Sequence, residues 1–297
     1  MFQPLLEAGL RQTMHRLVRP MLSNAVPLSL QRRLVRQAYR SSVPPRDVRF
    51  RKDDLGNVPV LRATPAQPAI GTILYLHGGG YIIGSAATHK GIAGHLAKLS
   101  GCEVIVPDYR LAPEHPYPAA PDDAESVYRA LLSQGIPASS VALAGDSAGG
   151  GLSLALAMRL RDQNKPLPSS ITCFSPWTDL TQQQLYQPEC EPVLHASWTK
   201  NAARLYGGQT PLTNPMISPV FGDLSGLSPL LIQVGSQEIL LNDATRLEAV
   251  AKRDGVDTTL EIYNSLWHVF QVHSGQLDRA TEAVAVAADH IRRHLAG

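Results

Sequence analysis

The stretch VALAGDSAGGG, Val141 to Gly151, decides how this chain is read. Its first four residues, Val141 to Ala144, are apolar and read as a short buried strand, and an apolar helical stretch follows from Gly149 to Arg161. Between them stands Gly145-Asp146-Ser147-Ala148-Gly149, a G-x-S-x-G string at a strand-to-helix junction. As a string it is unspecific; its position is what gives it weight. Such a turn is too tight for much besides glycine at its flanks, and it thrusts the serine hydroxyl into the open. The helix N-terminus behind it offers unsatisfied N–H groups and positive potential, which favour developing negative charge.

The same alternation runs outward from this point. Pro59 to Arg62, Ile70 to Leu76, Glu103 to Val106, Ile171 to Phe174, Leu230 to Val234 and Thr259 to Tyr263 read as further short strands. Helical patterns fill Ala87 to Ser100, Pro121 to Leu132, Asn242 to Arg253 and Gly275 to His294. Apolar strands separated by helices imply an α/β fold with a mostly parallel sheet covered on both faces. The first two strands, before any of these helices, are expected to form an antiparallel edge. Ligands of such sheets bind beyond the carboxyl ends of the strands, so chemistry is sought where strands stop.

His77-Gly78-Gly79-Gly80-Tyr81 directly follows the strand ending at Leu76 and is the more specific string. Three glycines leave backbone N–H groups bare of side chains, and aimed at one point they would hold an oxyanion. A phosphate-binding loop would close on Lys-Ser/Thr, which is missing here.

A nucleophilic serine needs a base, and the base an orienting acid; in sheets of this type the order is serine, acid, histidine. Downstream of Ser147 stand His195, His268, His273, His290 and His294. His268 follows the last strand by a short loop, where a catalytic base belongs, with His273 the alternative. His290 and His294 lie among Arg292 and Arg293, as on a solvated helix face. Glu238 is the first carboxylate past the strand Leu230 to Val234 and is preferred as the acid. Asp243, five residues on, is the alternative, read instead as a helix cap or first-turn charge.

Taken together, His77-Gly-Gly-Gly-Tyr81, Asp108-Tyr-Arg-Leu-Ala-Pro-Glu114, Gly145-Asp-Ser-Ala-Gly-Gly150 and Trp267-His-Val-Phe270 resemble the bacterial hormone-sensitive-lipase family of esterases, over about Ala69 to Phe270. The resemblance implies an α/β-hydrolase fold with a helical cap, Ser147 as nucleophile, His268 as base, and Gly79, Gly80 and Ala148 as oxyanion donors. The family usually carries Asp-Pro-Leu where this chain has Glu238-Ile239-Leu240. By the same resemblance a cap would combine residues 1–45 with an insertion at about 182–213, on a catalytic domain of residues 46–297. Met1 to Leu22 and Leu28 to Tyr39 have the apolar spacing of two amphipathic helices for that cap. Trp198, Leu205 and Tyr206 would line an acyl or alcohol pocket or pack the cap on the core.

Composition sets the outer limits. Hydrophobic residues make up 44% of the 297 and charged residues 18%, enough for a full core. A net charge of +2 without a dense basic stripe argues against nucleic acid as partner. No run of 18 apolar residues spells a membrane span, and the N-terminus lacks the charge-then-apolar order of a secretory signal. Cys102, Cys173 and Cys190 are too few and wrongly spaced for a disulfide framework or a structural zinc, and read as fillers. A cytoplasmic protein with a small-molecule ester as partner and no cofactor or metal is expected, and a homo-oligomer is compatible with the sequence. Asp146 is read as supporting its own turn, Asp108 and Arg110 as buried support beneath the glycine loop, and Asp179 as a turn or cap residue. Rival readings are a receptor that has lost catalysis, and an amidase or acyltransferase on the same fold.

Overall fold

In the computed structural model, which describes residues 2–295, the strands are β1 (Arg49–Leu55), β2 (Val58–Thr64), β3 (Thr72–Leu76), β4 (Glu103–Pro107), β5 (Val141–Asp146), β6 (Ile171–Phe174), β7 (Leu230–Gly235) and β8 (Thr258–Tyr263). They form one sheet in the order β1-β2-β4-β3-β5-β6-β7-β8. From β4 to β8 every pairing is parallel, and β2 runs antiparallel to both β1 and β4. The antiparallel edge is therefore the hairpin β1–β2, not the expected pairing of β2 with β3. β1 escapes sequence reading because RFRKDDL has only Leu55 buried; an edge strand needs few apolar side chains. Gly56 and Asn57 turn that hairpin with φ of 58° and 62°, as a two-residue connection requires.

The helices are α1 (Phe2–Thr13), α2 (Arg19–Met21), α3 (Leu28–Ala38), α4 (Lys90–Ser100), α5 (Ala119–Ser133), α6 (Ala148–Asp162), α7 (Ala196–Gly207), α8 (Leu241–Arg253) and α9 (Asp278–His294). Side chains of the strands alternate between two cores, as the period of two demands. Ile73, Tyr75, Ala142 and Ala144 meet Ile92 and Leu96 of α4 and Val284 and Ile291 of α9. Leu74, Leu76, Val141 and Leu143 meet Val127 of α5, Leu152 and Leu156 of α6 and Leu247 of α8. Each fully buried Leu or Ile contributes about 1.5–3 kcal/mol. The covered strands β3 and β5 are buried throughout, so their carboxyl ends are held rigidly.

The N-terminal segment is helical from Phe2 to Met21, with a π-helical turn at Met14–Val18; Met1 lies outside the described residues, as do residues 296–297. α3 follows, with Val35 packed on the same core as Leu22.

Candidate active site

β5 ends in a sharp turn whose central residue, Ser147, has φ 52° and ψ −120°, a conformation that costs energy for any residue but glycine. Neighbouring backbone holds it there: Ser147 N–H donates to Phe174 O at 2.8 Å, and Trp177 N–H donates to Ser147 O at 2.9 Å. α6 starts immediately behind. A Cβ on Gly149 would lie 1.9 Å from Leu76 O, so only glycine allows the helix to pass this close to β3.

β3 lies beside β5, which brings the loop His77–Tyr81 to the same end of the sheet. Asp146 ties loop and turn together. Its Oδ1 accepts the Gly78 N–H at 3.0 Å and the Tyr75 hydroxyl at 2.8 Å, and its Oδ2 lies 3.3 Å from His89 Nε2. A Cβ at Gly78 would lie 2.1 Å from that Oδ2. Burial opposes the Asp146 charge, but the charge and hydrogen bond of His89 outweigh it and hold the carboxyl below its ordinary range. Burial likewise opposes charge on His89, and Asp146 raises it on balance. His77 is pushed down to about 3 by burial and by the neighbouring His89. It stays neutral, stacked on Tyr109 at 4.1 Å, while the Tyr109 hydroxyl donates to His77 O at 2.6 Å. Among the described residues, the N–H groups of Gly79, Gly80 and Ala148 make no bond to another part of the chain.

Asp108 and Arg110 do not do what was expected of them. Both are exposed: Asp108 accepts the Ala86 N–H at 2.7 Å, and Arg110 pairs with Asp123 at 2.7 Å. The residue beneath the glycine loop is the one between them, Tyr109.

The residues expected as base and acid come from the neighbouring strand ends. Glu238 sits in the turn after β7, fully buried, with Oε1 accepting the Gly235 N–H at 2.9 Å. Its Oε2 lies 2.6 Å from Nδ1 of His268, which the loop after β8 delivers. With Nδ1–H donated to this carboxylate, Nε2 is the basic nitrogen of the neutral ring. Burial alone would lower the His268 pKa; the hydrogen bond and charge of Glu238, with the charges of Glu191 and Asp146, raise it above the ordinary imidazole value. Ser147, His268, Gly78, Gly79 and Gly80 all line one pocket.

Asp243 is placed otherwise. It is buried in the first turn of α8, and its Oδ2 accepts the N–H groups of Thr178 and Asp179, each at 2.8 Å. Burial pushes its carboxyl up to about 7. Asp179 accepts from Thr181 and pairs with Arg246 at 2.5 Å. His273 lies in the pocket wall, and burial pushes it down to about 4. His195 precedes α7 as its N-cap. His290 is buried rather than solvated, 5% exposed, because α9 turns it toward the core side.

Two separate pieces of chain roof the pocket. Met14, Val18 and Val35 come from the N-terminal helices, and Val193, Leu194 and Trp198 from the stretch before and within α7. The Trp198 Nε1–H donates to Gln31 Oε1 at 2.7 Å and joins the two pieces. Of the three residues considered for the pocket, Trp198 lines it, whereas Tyr206 stacks on Tyr81 at 3.7 Å and packs against the core with Leu205. Sequence reading missed Gln31, His89 and Glu191, whose contacts with Trp198, Asp146 and Ile239 span 167, 57 and 48 residues. No local spacing signals such contacts.

Comparison with known proteins identifies the fold and the family. A family described by its alpha/beta hydrolase fold matches residues 73–272. An acetyl-hydrolase of Streptomyces hygroscopicus is 40% identical over 253 residues, covering 84% of this chain and 83% of the relative. An esterase of Acinetobacter venetianus is 37% identical over 221 residues, 73% of each. Among solved structures, an esterase from the bacterial hormone-sensitive lipase family superposes with a TM-score of 0.91 at 34% identity, covering 100% of this chain and 99% of the other. With this extent of likeness in sequence and fold, the chain belongs to the bacterial hormone-sensitive-lipase-like family of α/β hydrolases and is a carboxylic ester hydrolase.

Proposed function

We propose that this chain hydrolyses esters of short to medium acyl chains through an acyl-enzyme formed on Ser147. Ser147 Oγ attacks the ester carbonyl carbon while His268 Nε2 takes the hydroxyl proton. The carbonyl π electrons move to oxygen, and the resulting oxyanion is held by the N–H groups of Gly79, Gly80 and Ala148. Collapse breaks the C–O bond to the alcohol, which leaves with the proton from His268. Water then attacks the acyl-enzyme, gives its proton to His268, and the Ser147 oxygen leaves and recovers that proton. Glu238 holds the ring orientation and stabilises the imidazolium throughout.

The observation that carries this reading is the 2.6 Å contact between His268 and buried Glu238, with His268 and Ser147 lining a single pocket. The roof of Met14, Val18, Val193, Leu194 and Trp198 favours a short apolar acyl or alcohol group over a long triglyceride chain. The name acetyl-hydrolase, given to the Streptomyces relative, supports the short end of that range. Three free cysteines are compatible with a reducing, cytoplasmic compartment. Ser147→Ala should abolish turnover of p-nitrophenyl acetate and butyrate and labelling by a phosphonate ester. Activity within tenfold of the parent would remove Ser147 from the mechanism. Amide counterparts of the same acyl groups, and alcohols as competing acceptors, separate this reaction from amidase and acyltransferase activity.

A further inference from the structure

Glu191 lies on the irregular stretch between β6 and α7, partly buried, and among the described residues it takes part in no salt bridge. Its carboxylate is satisfied by backbone instead. Oε1 accepts the N–H groups of Val193 at 2.7 Å and Leu194 at 3.0 Å, both residues of the pocket wall. Oε2 accepts the N–H of Ile239 at 2.8 Å, the residue that follows Glu238. One side chain therefore bridges the surface that meets substrate and the turn that carries the acid. Around it the two segments are stitched further: Tyr186 N–H to Ile239 O at 3.0 Å, Cys190 N–H to Gln237 Oε1 at 3.3 Å, and Asn242 Nδ2 to Gln184 O at 3.0 Å.

The Ile239 bond depends on the residue after Glu238 having an N–H to give. At this turn the chain reads Glu238-Ile239-Leu240. Proline has no N–H, so a proline at position 239 could not make this contact. The longer Glu238 side chain has one more rotatable bond than aspartate, and a more firmly held backbone offsets that freedom.

We propose that Glu191 is a positioning residue for the triad. It locks the Glu238 turn against the pocket wall through its backbone bonds to Val193, Leu194 and Ile239. The inference rests on the acyl-enzyme reading above. The charged groups that face His268 are Glu238 from the turn after β7, Glu191 from this stretch, and Asp146 from the end of β5. Burial raises the Glu191 carboxyl above its ordinary range, outweighing the opposing effects of its three N–H bonds and of His268.

Two variants separate the bond from the charge. Glu191→Gln removes the charge and turns an NH₂ group toward backbone donors. Ile239→Pro removes one N–H and leaves the charge. Both are compared with the parent by kcat and KM for p-nitrophenyl butyrate from pH 5 to 9, per site titrated with a phosphonate, so that misfolded protein does not count. Loss of a hydrogen bond to a charged group corresponds to a fall in kcat of roughly tenfold or more in each variant. Glu191→Gln should also move the acid limb of kcat/KM to lower pH by roughly half a unit or more, because one charge facing His268 is gone. Ile239→Pro should leave that limb in place. Both variants within twofold of the parent in kcat, with the limb unmoved, would overturn the proposal. Ser147→Ala is the control: if it retains turnover, the acyl-enzyme reading fails, whereas a dead Ser147→Ala beside a normal Glu191→Gln sinks the role of Glu191 alone.

Discussion

Glu238 and Asp243 are five residues apart, both buried, and truncating each should produce opposite kinds of damage. Glu238→Ala removes the acceptor 2.6 Å from His268 Nδ1 and strands one backbone donor, the Gly235 N–H. The ring then loses its fixed tautomer and the largest contribution to its positive charge. In serine hydrolases with a Ser-His-acid triad, spoiling the acid costs kcat on the order of 10⁴. The stability loss should be modest, about 1–3 kcal/mol for one stranded donor. Asp243→Ala strands two donors, the N–H groups of Thr178 and Asp179, and should cost about 2–6 kcal/mol on the same scale. It touches neither His268 nor the pocket, so kcat per surviving site should stay within a few fold of the parent. The assay is p-nitrophenyl butyrate hydrolysis per phosphonate-titrated site, with a thermal melt of each variant. A larger loss of kcat in Asp243→Ala than in Glu238→Ala would refute the assignment, whatever the melts show.

Asp243 also has a signature in pH. Its folded value is pushed up to about 7 from an ordinary 3.8, so between these limits the folded chain keeps a proton that the unfolded chain releases. Stability from this group is therefore present below about 4 and lost as pH rises through about 7. Asp243→Asn should flatten the dependence of ΔG on pH in that window, measured by urea denaturation; an unchanged slope contradicts it. Asp146→Ala strands the Gly78 N–H and the Tyr75 hydroxyl and frees the glycine loop. It should lower kcat by up to ~10²–10³ with far less effect on KM, and a lower melting temperature with normal kcat would show the pair to be structural only. Trp198→Ala removes a pocket wall and the bond to Gln31 and should cost about 3–5 kcal/mol. Initial rates across acetate, butyrate, hexanoate and octanoate should shift toward longer chains; an unchanged profile would place the size limit elsewhere.

Much of the fold was legible because buried parallel strands and their covering helices carry period and apolarity in their own residues. Val141 to Ala144 and Leu230 to Val234 are examples. β1 was not legible: RFRKDDL buries one residue, and an edge strand takes its hydrogen bonds from a partner rather than from its own pattern. The pairing of β2 with β1 and β4 likewise depends on chain direction after the hairpin, which composition does not record. Asp108 and Arg110 looked like buried support because of their place in a motif, yet both face solvent and Tyr109 fills the space.

The sequence by itself determined the α/β architecture and marked the candidate site residues, because turn sterics, strand ends and bare glycine amides are local properties. Only the tertiary structure decided which carboxylate meets His268, that Asp146 serves the glycine loop, and that Glu191 braces the Glu238 turn. Those contacts join residues 30, 68 and 48 positions apart. Their geometry is set by how the cores pack on both faces of the sheet and by the backbone donors left over, quantities that no local window of sequence contains.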